Sequence, residues 1–481
     1  MRNILFITAD QLRWDALGFE GVFPVRTPNI DRLARHGTVF ENAYCSNPLC
    51  VPARASIMTG RYCADTGIYY NSREWDERLA TIPGELGANG YYSVAVGKMH
   101  FRPRRANRGF AKRTADNSLD YPGYLRRKGY KVRQKKRRGD GSIHNDEAIW
   151  DEYTHQASEL PVEDYVTGYT VDKALHELDL IGDRRECTPG GNEPFFMWLS
   201  FIKPHTPCDP PEPYFSMYDP DDLPPPVRNE QERAAFPKTK KRFENNWKVL
   251  TDDVIRKLRA QYLGNVTLID DQLGRVFDKL DEMGIADNTL IIFSSDHGDH
   301  LGDHHLQQKG FFYDCSARVP LIFYGPDIPA GKVIRENVSH IDLLPTLLDY
   351  CQLTQPKVHD PAGDLIYRYA DFGDAVSLMP AFREGEQLDP DRVVVSESGV
   401  HGQQIMLKQG SMKYNYYPGN GEIERFDLVE DPDELHDTGK GLTLEALPDK
   451  VREKLQEMLR RTRRYHGTWY THGDRLYKMF E

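Results

Sequence analysis

The residues with the clearest capacity for chemistry lie in the segment 47–61, around Cys50. Pro52 and Arg54 follow Cys50 in a C-x-P-x-R pattern, of which the composition predicts only about 0.06 accidental matches. A thiolate is a nucleophile and a metal ligand, and a guanidinium binds anions through fixed donors. A cysteine-dependent phosphatase would carry its arginine at position 56, which is Ser56 here. The alternative is an ordinary buried thiol, but the pattern favours a nucleophile of another kind.

Two acidic residues follow apolar runs at widely separated points of the chain. Asp10 precedes Gln11 after the first run, and Asp296 precedes His297 after the run 289–295. An isolated aspartate in such a position most often caps a loop. Two such pairs, taken with the C-x-P-x-R element, instead indicate carboxylates that converge on one cation.

Lysines and histidines follow other apolar runs. They are Lys98 and His100 after the run 92–96, His205 after the run 195–202, and Lys309 downstream of Asp296. Each one alone is most often a solvated side chain. Lys98 and Lys309, together with Arg54 and a bound metal ion, would make a locally positive site for an anion.

The elements that must position these residues are short apolar strands alternating with amphipathic helices. Buried strands are predicted at 3–8, 92–96, 195–202, 289–295 and 319–324, and helices from Thr27–Pro28 to Gly37, at 258–283 and at 340–351. The alternation predicts an α/β fold in which a large, mostly parallel sheet is sandwiched by helices. Such a sheet places its ligands at the carboxyl ends of its strands.

The domain organisation is predicted from breaks in this alternation. Residues 1–374 form the predicted catalytic domain, with insertions near 101–165 and 204–250. Residues 375–481 form a smaller α+β subdomain with an aromatic tail. The stretch 102–138 holds fifteen basic residues against two acidic ones. It is predicted to be a solvated or subunit-facing insertion, or a region that guides anionic substrates.

Composition excludes several classes of protein. The 481 residues include 62 basic and 73 acidic ones, so the net charge of −11 disfavours a nucleic-acid binder. No apolar run approaches the roughly 18 residues of a membrane helix. The seven cysteines are dispersed, which predicts free thiols in a reducing compartment. The first apolar run is too short for a secretory signal, and we therefore expect a cytoplasmic protein.

The C-x-P-x-R pattern and the run that follows it up to Arg61 resemble the signature of the sulfatases, a branch of the alkaline phosphatase superfamily. This resemblance implies that a maturation enzyme oxidises Cys50 to Cα-formylglycine, whose hydrate offers a hydroxyl nucleophile. A covalent sulfate ester then forms, and the second hydroxyl expels sulfate by C–O cleavage. Arg54 would hold the hydrate.

The resemblance also implies one divalent metal ion. Its ligands would be Asp10, Gln11, the modified Cys50, Asp296 and His297. Many sulfatases carry a second aspartate in place of Gln11 and an asparagine in place of His297, an all-oxygen set that suits Ca²⁺. The imidazole leaves Mn²⁺ as the other candidate. The Gln11 and His297 pair is closer to phosphonate monoester hydrolases and choline sulfatases.

The remaining roles follow from the family order K-x-H, K-P-H-x-P and a lysine after D-H-G. Lys98 and Lys309 would stabilise charge on the sulfuryl oxygens. His205 or Lys309 is the candidate general acid, and His100 is a candidate base for hemiacetal breakdown. Asn71 is a candidate substrate contact. The pair Lys98 and His100 is sulfatase-like, because phosphonate monoester hydrolases tend to carry hydroxyl side chains there.

The predicted function is hydrolysis of sulfate monoesters with an aryl or other small organic leaving group. The first alternative is a phosphonate monoester or phosphodiester hydrolase built on the same site, and the second is a non-catalytic binding protein with this fold. The expected partners are a small anionic ester, the formylglycine-generating maturation enzyme and further copies of the chain in a dimer or tetramer.

Overall fold

The computed structural model describes residues 1–130, 156–187, 193–235, 251–353, 373–399 and 402–463. The aromatic tail and parts of both predicted insertions therefore lie outside the described residues. Within the described ranges, no helix combines the length and the apolar character that a membrane crossing requires.

The described part of the chain is built around an eight-stranded sheet with the order β5-β4-β6-β1-β7-β8-β2-β9. Its strands are β1 (Asn3–Asp10), β2 (Thr38–Phe40), β4 (Tyr92–Gly97), β5 (Lys112–Thr114), β6 (Phe195–Pro204), β7 (Thr289–Ser295), β8 (Leu321–Tyr324) and β9 (Lys332–Ile334). The run from β5 to β7 is parallel, and β8 is antiparallel to both of its neighbours. The short strands β3 (Ala43–Tyr44) and β10 (Val338–Ser339) pair separately. The predicted mostly parallel sheet is confirmed.

Helices cover both faces of this sheet, which explains why its central strands read as continuous apolar runs. Every residue of β1 is buried, because alternate side chains enter two separate apolar cores. The helices are α1 (Pro28–His36), α2 (Cys50–Thr59), α3 (Cys63–Thr66), α4 (Ile82–Ala88), α5 (Tyr121–Arg127), α6 (Val166–Cys187), α7 (Glu230–Ala235), α8 (Asp252–Glu282), α9 (Asp314–Ala317) and α10 (Leu343–Tyr350).

The C-terminal region forms a second, antiparallel sheet. Its strands are β11 (Val394–Ser398), β12 (Gln404–Gln409), β13 (Met412–Tyr417) and β14 (Glu422–Asp427), followed by α11 (Asp449–Arg463). The apolar face of α11 packs with this sheet in a core that also includes Tyr62 and Ile341 of the large unit. The smaller α+β unit is therefore present, whereas the boundary at residue 375 stays a prediction.

Of the element boundaries that differ from those predicted, two have a clear local reason. Helix α8 begins at Asp252 rather than residue 258, because Thr251 caps it by accepting from the backbone N–H of Val254. The first turn of this helix is polar, so the spacing of apolar residues does not mark where the helix begins. Strand β8 begins at Leu321 rather than residue 319, after Pro320, which has no N–H for a ladder.

Candidate active site

The site lies where four neighbouring strands end. Asp10 ends β1, Asp296 follows β7, Lys98 follows β4, and His205 follows β6. Because β4, β6, β1 and β7 are consecutive parallel neighbours, their carboxyl ends bring these side chains to one edge of the sheet.

Helix α2 supplies the candidate nucleophile. Cys50 is its first residue, and every residue of this helix is buried. The Asn71 Oδ1 atom accepts a hydrogen bond from the backbone N–H of Val51 at 2.9 Å, which satisfies a donor in the first turn. Asn71 therefore holds the helix end that carries Cys50, and its predicted contact with substrate stays a prediction.

Four buried side chains form a cluster of metal-ligand type. One ligand atom each from Asp10, Cys50, Asp296 and His297 lies within 4.8 Å of the others. The His297 Nδ1 atom donates as an N–H to the Gly298 carbonyl at 2.9 Å, so Nε2 is the ring nitrogen that faces the cluster. His297 Nε2 lies 3.3 Å from the Cys50 Sγ atom.

Arg54 lies beneath this cluster and is fully buried. Its guanidinium donates to Asp296 Oδ2 and Asp10 Oδ2, each at 3.0 Å, and to the Lys98 carbonyl at 2.6 Å. It also donates to Ser200 Oγ at 2.8 Å. Arg54 therefore forms ion pairs with two buried carboxylates. Its predicted contact with an aldehyde hydrate stays a prediction.

The negative charge of the cluster exceeds what Arg54 alone compensates. Burial and the neighbouring Asp10 raise the pKa of Asp296. Burial would likewise raise the pKa of Asp10, but Lys98 and Arg54 hold it well below its ordinary value. Two adjacent buried carboxylates, a thiol and an imidazole nitrogen fit a divalent cation.

Two lysines approach the thiol. Lys98 Nζ lies 3.9 Å from Cys50 Sγ and 2.6 Å from Asp10 Oδ2. Burial and Asp10 would raise the pKa of the Cys50 thiol, but Lys309 and Lys98 lower it well below its ordinary value. Burial would lower the pKa of Lys309, but Cys50 and Asp10 raise it, so Lys309 remains a cation.

Gln11 links Lys309 to a further acid. Its backbone lies at a positive φ of 66°, and its N–H donates to Asp296 Oδ1 at 3.0 Å. Its side-chain oxygen accepts from Lys309 Nζ, and its side-chain nitrogen donates to Asp299. The amide of Gln11 thus bridges Lys309 and Asp299, and its role as a metal ligand stays a prediction.

The two candidate histidines line a cavity of about 220 Å³ together with Lys98. Burial, Lys309 and Lys98 hold the pKa of His205 well below its ordinary value, so its imidazole is neutral. Its Nδ1 donates to the Thr206 carbonyl at 2.8 Å, which leaves Nε2 as an acceptor. His100 has a positive φ of 56°, a conformation that non-glycine residues adopt mainly where surrounding structure enforces it.

The sequence interpretation missed two buried positioning residues, Ser200 and Asp299. Ser200 is a polar residue inside the apolar strand β6, where it accepts from Arg54 and from Thr8 Oγ1 at 3.0 Å. Asp299 follows His297 by two residues, and its Oδ1 accepts from the Leu301 N–H at 2.9 Å. Two signals in the sequence could have indicated them. Ser200 is a hydroxyl residue within a continuous apolar run, and Asp299 is a third acidic residue shortly after a strand end.

The fold and this cluster define a class of hydrolases that act on anionic esters at the edge of a mostly parallel sheet. The family model described as Sulfatase matches residues 2–353, and the chain belongs to the sulfatase family. It is an enzyme, a sulfuric ester hydrolase. The predicted family, fold and enzyme class are confirmed.

Individual relatives resemble almost the whole chain. An arylsulfatase of Clostridium perfringens is 30% identical, covering 99% of this chain and 97% of the relative. A choline-sulfatase of Rhizobium meliloti is also 30% identical, over 90% of this chain and 81% of the relative. The crystal structure of a phosphonate monoester hydrolase of Agrobacterium radiobacter superimposes with a TM-score of 0.76 at 25% identity, covering 96% of each chain.

Proposed function

We propose that this enzyme hydrolyses sulfate monoesters of aryl or small organic alcohols, with Cys50 as the precursor of a formylglycine nucleophile. The observation that carries the proposal is the position of Cys50. It opens a buried helix, with His297 Nε2 at 3.3 Å and Lys98 Nζ at 3.9 Å. A nucleophile made from this side chain would meet an anion beside the side chains of Lys98 and Lys309.

A divalent metal ion, Ca²⁺ or Mn²⁺, would be held by Asp10, Asp296, His297 and the modified Cys50, with Gln11 as a further candidate. When bound, it would supply positive charge that activates a hydroxyl nucleophile and stabilises anionic oxygens. Arg54 favours the ionised form of both carboxylates and fixes their direction, because it donates to one oxygen of each.

The side chains around the cluster account for binding and proton transfer. Lys98 and Lys309 place two cations beside the sulfuryl group as it transfers, and its oxygens gain negative charge. Lys309 carries a proton that the leaving oxygen can take, while His205 presents a free Nε2 acceptor. We therefore assign the general acid to Lys309, and His100 remains the candidate base for hemiacetal breakdown.

The maturation enzyme is the partner that this proposal requires. Cys50 is 1% exposed, and the helix that it opens is buried throughout. An oxidising enzyme cannot reach this thiol in the folded chain, so we propose that Cys50 is modified before folding is complete. We also propose that the chain assembles as a homo-oligomer, a dimer or tetramer.

A phosphonate monoester or phosphodiester hydrolase is the second candidate. Gln11 and His297 favour it, as does the structural similarity to the Agrobacterium radiobacter enzyme. Lys98 and His100 favour the sulfatase, because phosphonate monoester hydrolases tend to carry hydroxyl side chains at these positions. A sulfate monoester and a phosphonate monoester each carry a single negative charge, so the site charge alone does not separate them.

The deciding experiment compares kcat/KM for an aryl sulfate and an aryl phosphonate monoester with the same leaving group. We expect the sulfate to be the better substrate, and both reactions to disappear in Cys50→Ala. A phosphonate rate that exceeds the sulfate rate by orders of magnitude would overturn the sulfatase proposal. Activity that survives in Cys50→Ala would overturn the nucleophile assignment for both candidates.

A further inference from the structure

A cavity of about 220 Å³ adjoins the site on the side of His100 and His205. A cavity of roughly 150 Å³ is enough to bind benzene. This cavity therefore has room for one ring and a substituent. Phe101 and Ile202 line it with apolar surface, which suits the face of such a ring.

The acidic residue in the lining of this cavity does not compensate Arg104, which also lines it. Asp116 is the acidic residue of its lining, and it is already bound. Its carboxylate accepts from Arg113 at 3.1 Å and from Ser118 Oγ at 2.6 Å. Asp116 therefore stabilises the local turn and does not compensate the charge of Arg104.

Arg104 lines the same cavity and is exposed. The neighbouring basic side chains are engaged: Arg102 donates to the Asn71 carbonyl at 2.8 Å, and Arg113 is paired with Asp116. Among the described residues, no hydrogen bond or ion pair engages the guanidinium of Arg104. Asn117 lies in the same lining and offers amide donors.

We propose that Arg104 and Asn117 form a subsite for a second anionic group on the leaving alcohol. The substrate class would be a ring-sized sulfate ester that also carries a carboxylate or a further sulfate. Arginine binds such groups through paired N–H donors. This inference rests on the proposed sulfatase function, because it assigns the cavity to the leaving group of that reaction.

The test compares phenyl sulfate, 3-carboxyphenyl sulfate and its neutral analogue 3-carbamoylphenyl sulfate. We expect kcat/KM to be about fivefold higher for the carboxylate than for the amide, at the upper end of what an exposed ion pair provides. Arg104→Gln should bring this ratio to about one, and Arg104→Lys should retain part of it. Arg105→Gln is the matched control, since Arg105 is exposed but does not line the cavity, and it should leave the ratio unchanged.

A binding measurement separates this inference from the proposed function. Calorimetry with Cys50→Ala should show the same preference for 3-carboxyphenyl sulfate over the amide, without turnover. Equal affinity for the two ligands, or an unchanged ratio in Arg104→Gln, would overturn the subsite. If the preference and its loss in Arg104→Gln are seen but modified enzyme cleaves no sulfate ester, the subsite stands and the proposed function fails.

Discussion

Removal of Arg54 should destabilise the fold strongly, independently of any effect on catalysis. Its guanidinium pairs with Asp10 and Asp296 in a fully buried position. Hydrogen bonds to charged groups contribute about 1.5–3 kcal/mol each, and breaking a buried ion pair typically costs about 3–5 kcal/mol. Because these contributions overlap, we expect Arg54→Ala to lower the free energy of unfolding by about 3–5 kcal/mol. Arg54→Lys should cost less, since it keeps one positive charge but not the paired donors.

Cys50→Ala is the matched control for this prediction. Both variants lose the C-x-P-x-R pattern and hence the modification, but Cys50→Ala keeps both ion pairs of Arg54. The assay is equilibrium urea unfolding in the presence of a chelator, so that a bound metal does not compensate the carboxylates. We expect a loss of about 1 kcal/mol or less in Cys50→Ala, as for a small buried side chain. Equal stability of Arg54→Ala and Cys50→Ala would refute the structural role of the guanidinium.

Three further predictions concern other parts of the molecule. Asp299→Ala should lower kcat for an aryl sulfate about tenfold, because Asp299 holds the Gln11 amide that in turn positions Lys309. Unchanged kcat in fully modified enzyme would contradict this. Burial raises the pKa of Glu397 to about 7. The ionised form is therefore penalised in the folded state, and wild-type stability should fall by up to about 3 kcal/mol as pH rises from about 4.5 to 7. Glu397→Gln should flatten this part of the unfolding profile, and identical profiles would contradict the assignment. Finally, a maturation enzyme should convert a peptide containing Cys50 but not the folded thiol protein; equal conversion by mass spectrometry would show that Cys50 is accessible.

The residues that end strands could be predicted from the sequence because strand direction decides where they meet. Asp10 and Asp296 each follow a continuous apolar run, and parallel neighbours must bring such ends together. The C-x-P-x-R pattern marked Cys50 without any knowledge of the fold. Local order along the chain was therefore enough to find the cluster.

The orientation of side chains within the site could not be predicted from the sequence. The amide of Gln11 lies between Lys309 and Asp299, and an amide takes its direction from neighbours distant in sequence. Arg54 could be predicted as an anion-binding residue, but its anions are protein carboxylates. Asn71 holds the backbone of α2, a contact that depends on how a loop returns to the helix start.

We propose that the activity of this enzyme resides in a formylglycine made from Cys50. The most direct measurement is the mass of the Cys50 peptide in preparations whose specific activity toward an aryl sulfate differs. We predict that activity rises in proportion to the fraction of this peptide that carries the aldehyde, and vanishes with it. Full activity in a preparation whose Cys50 peptide keeps its thiol would contradict the account.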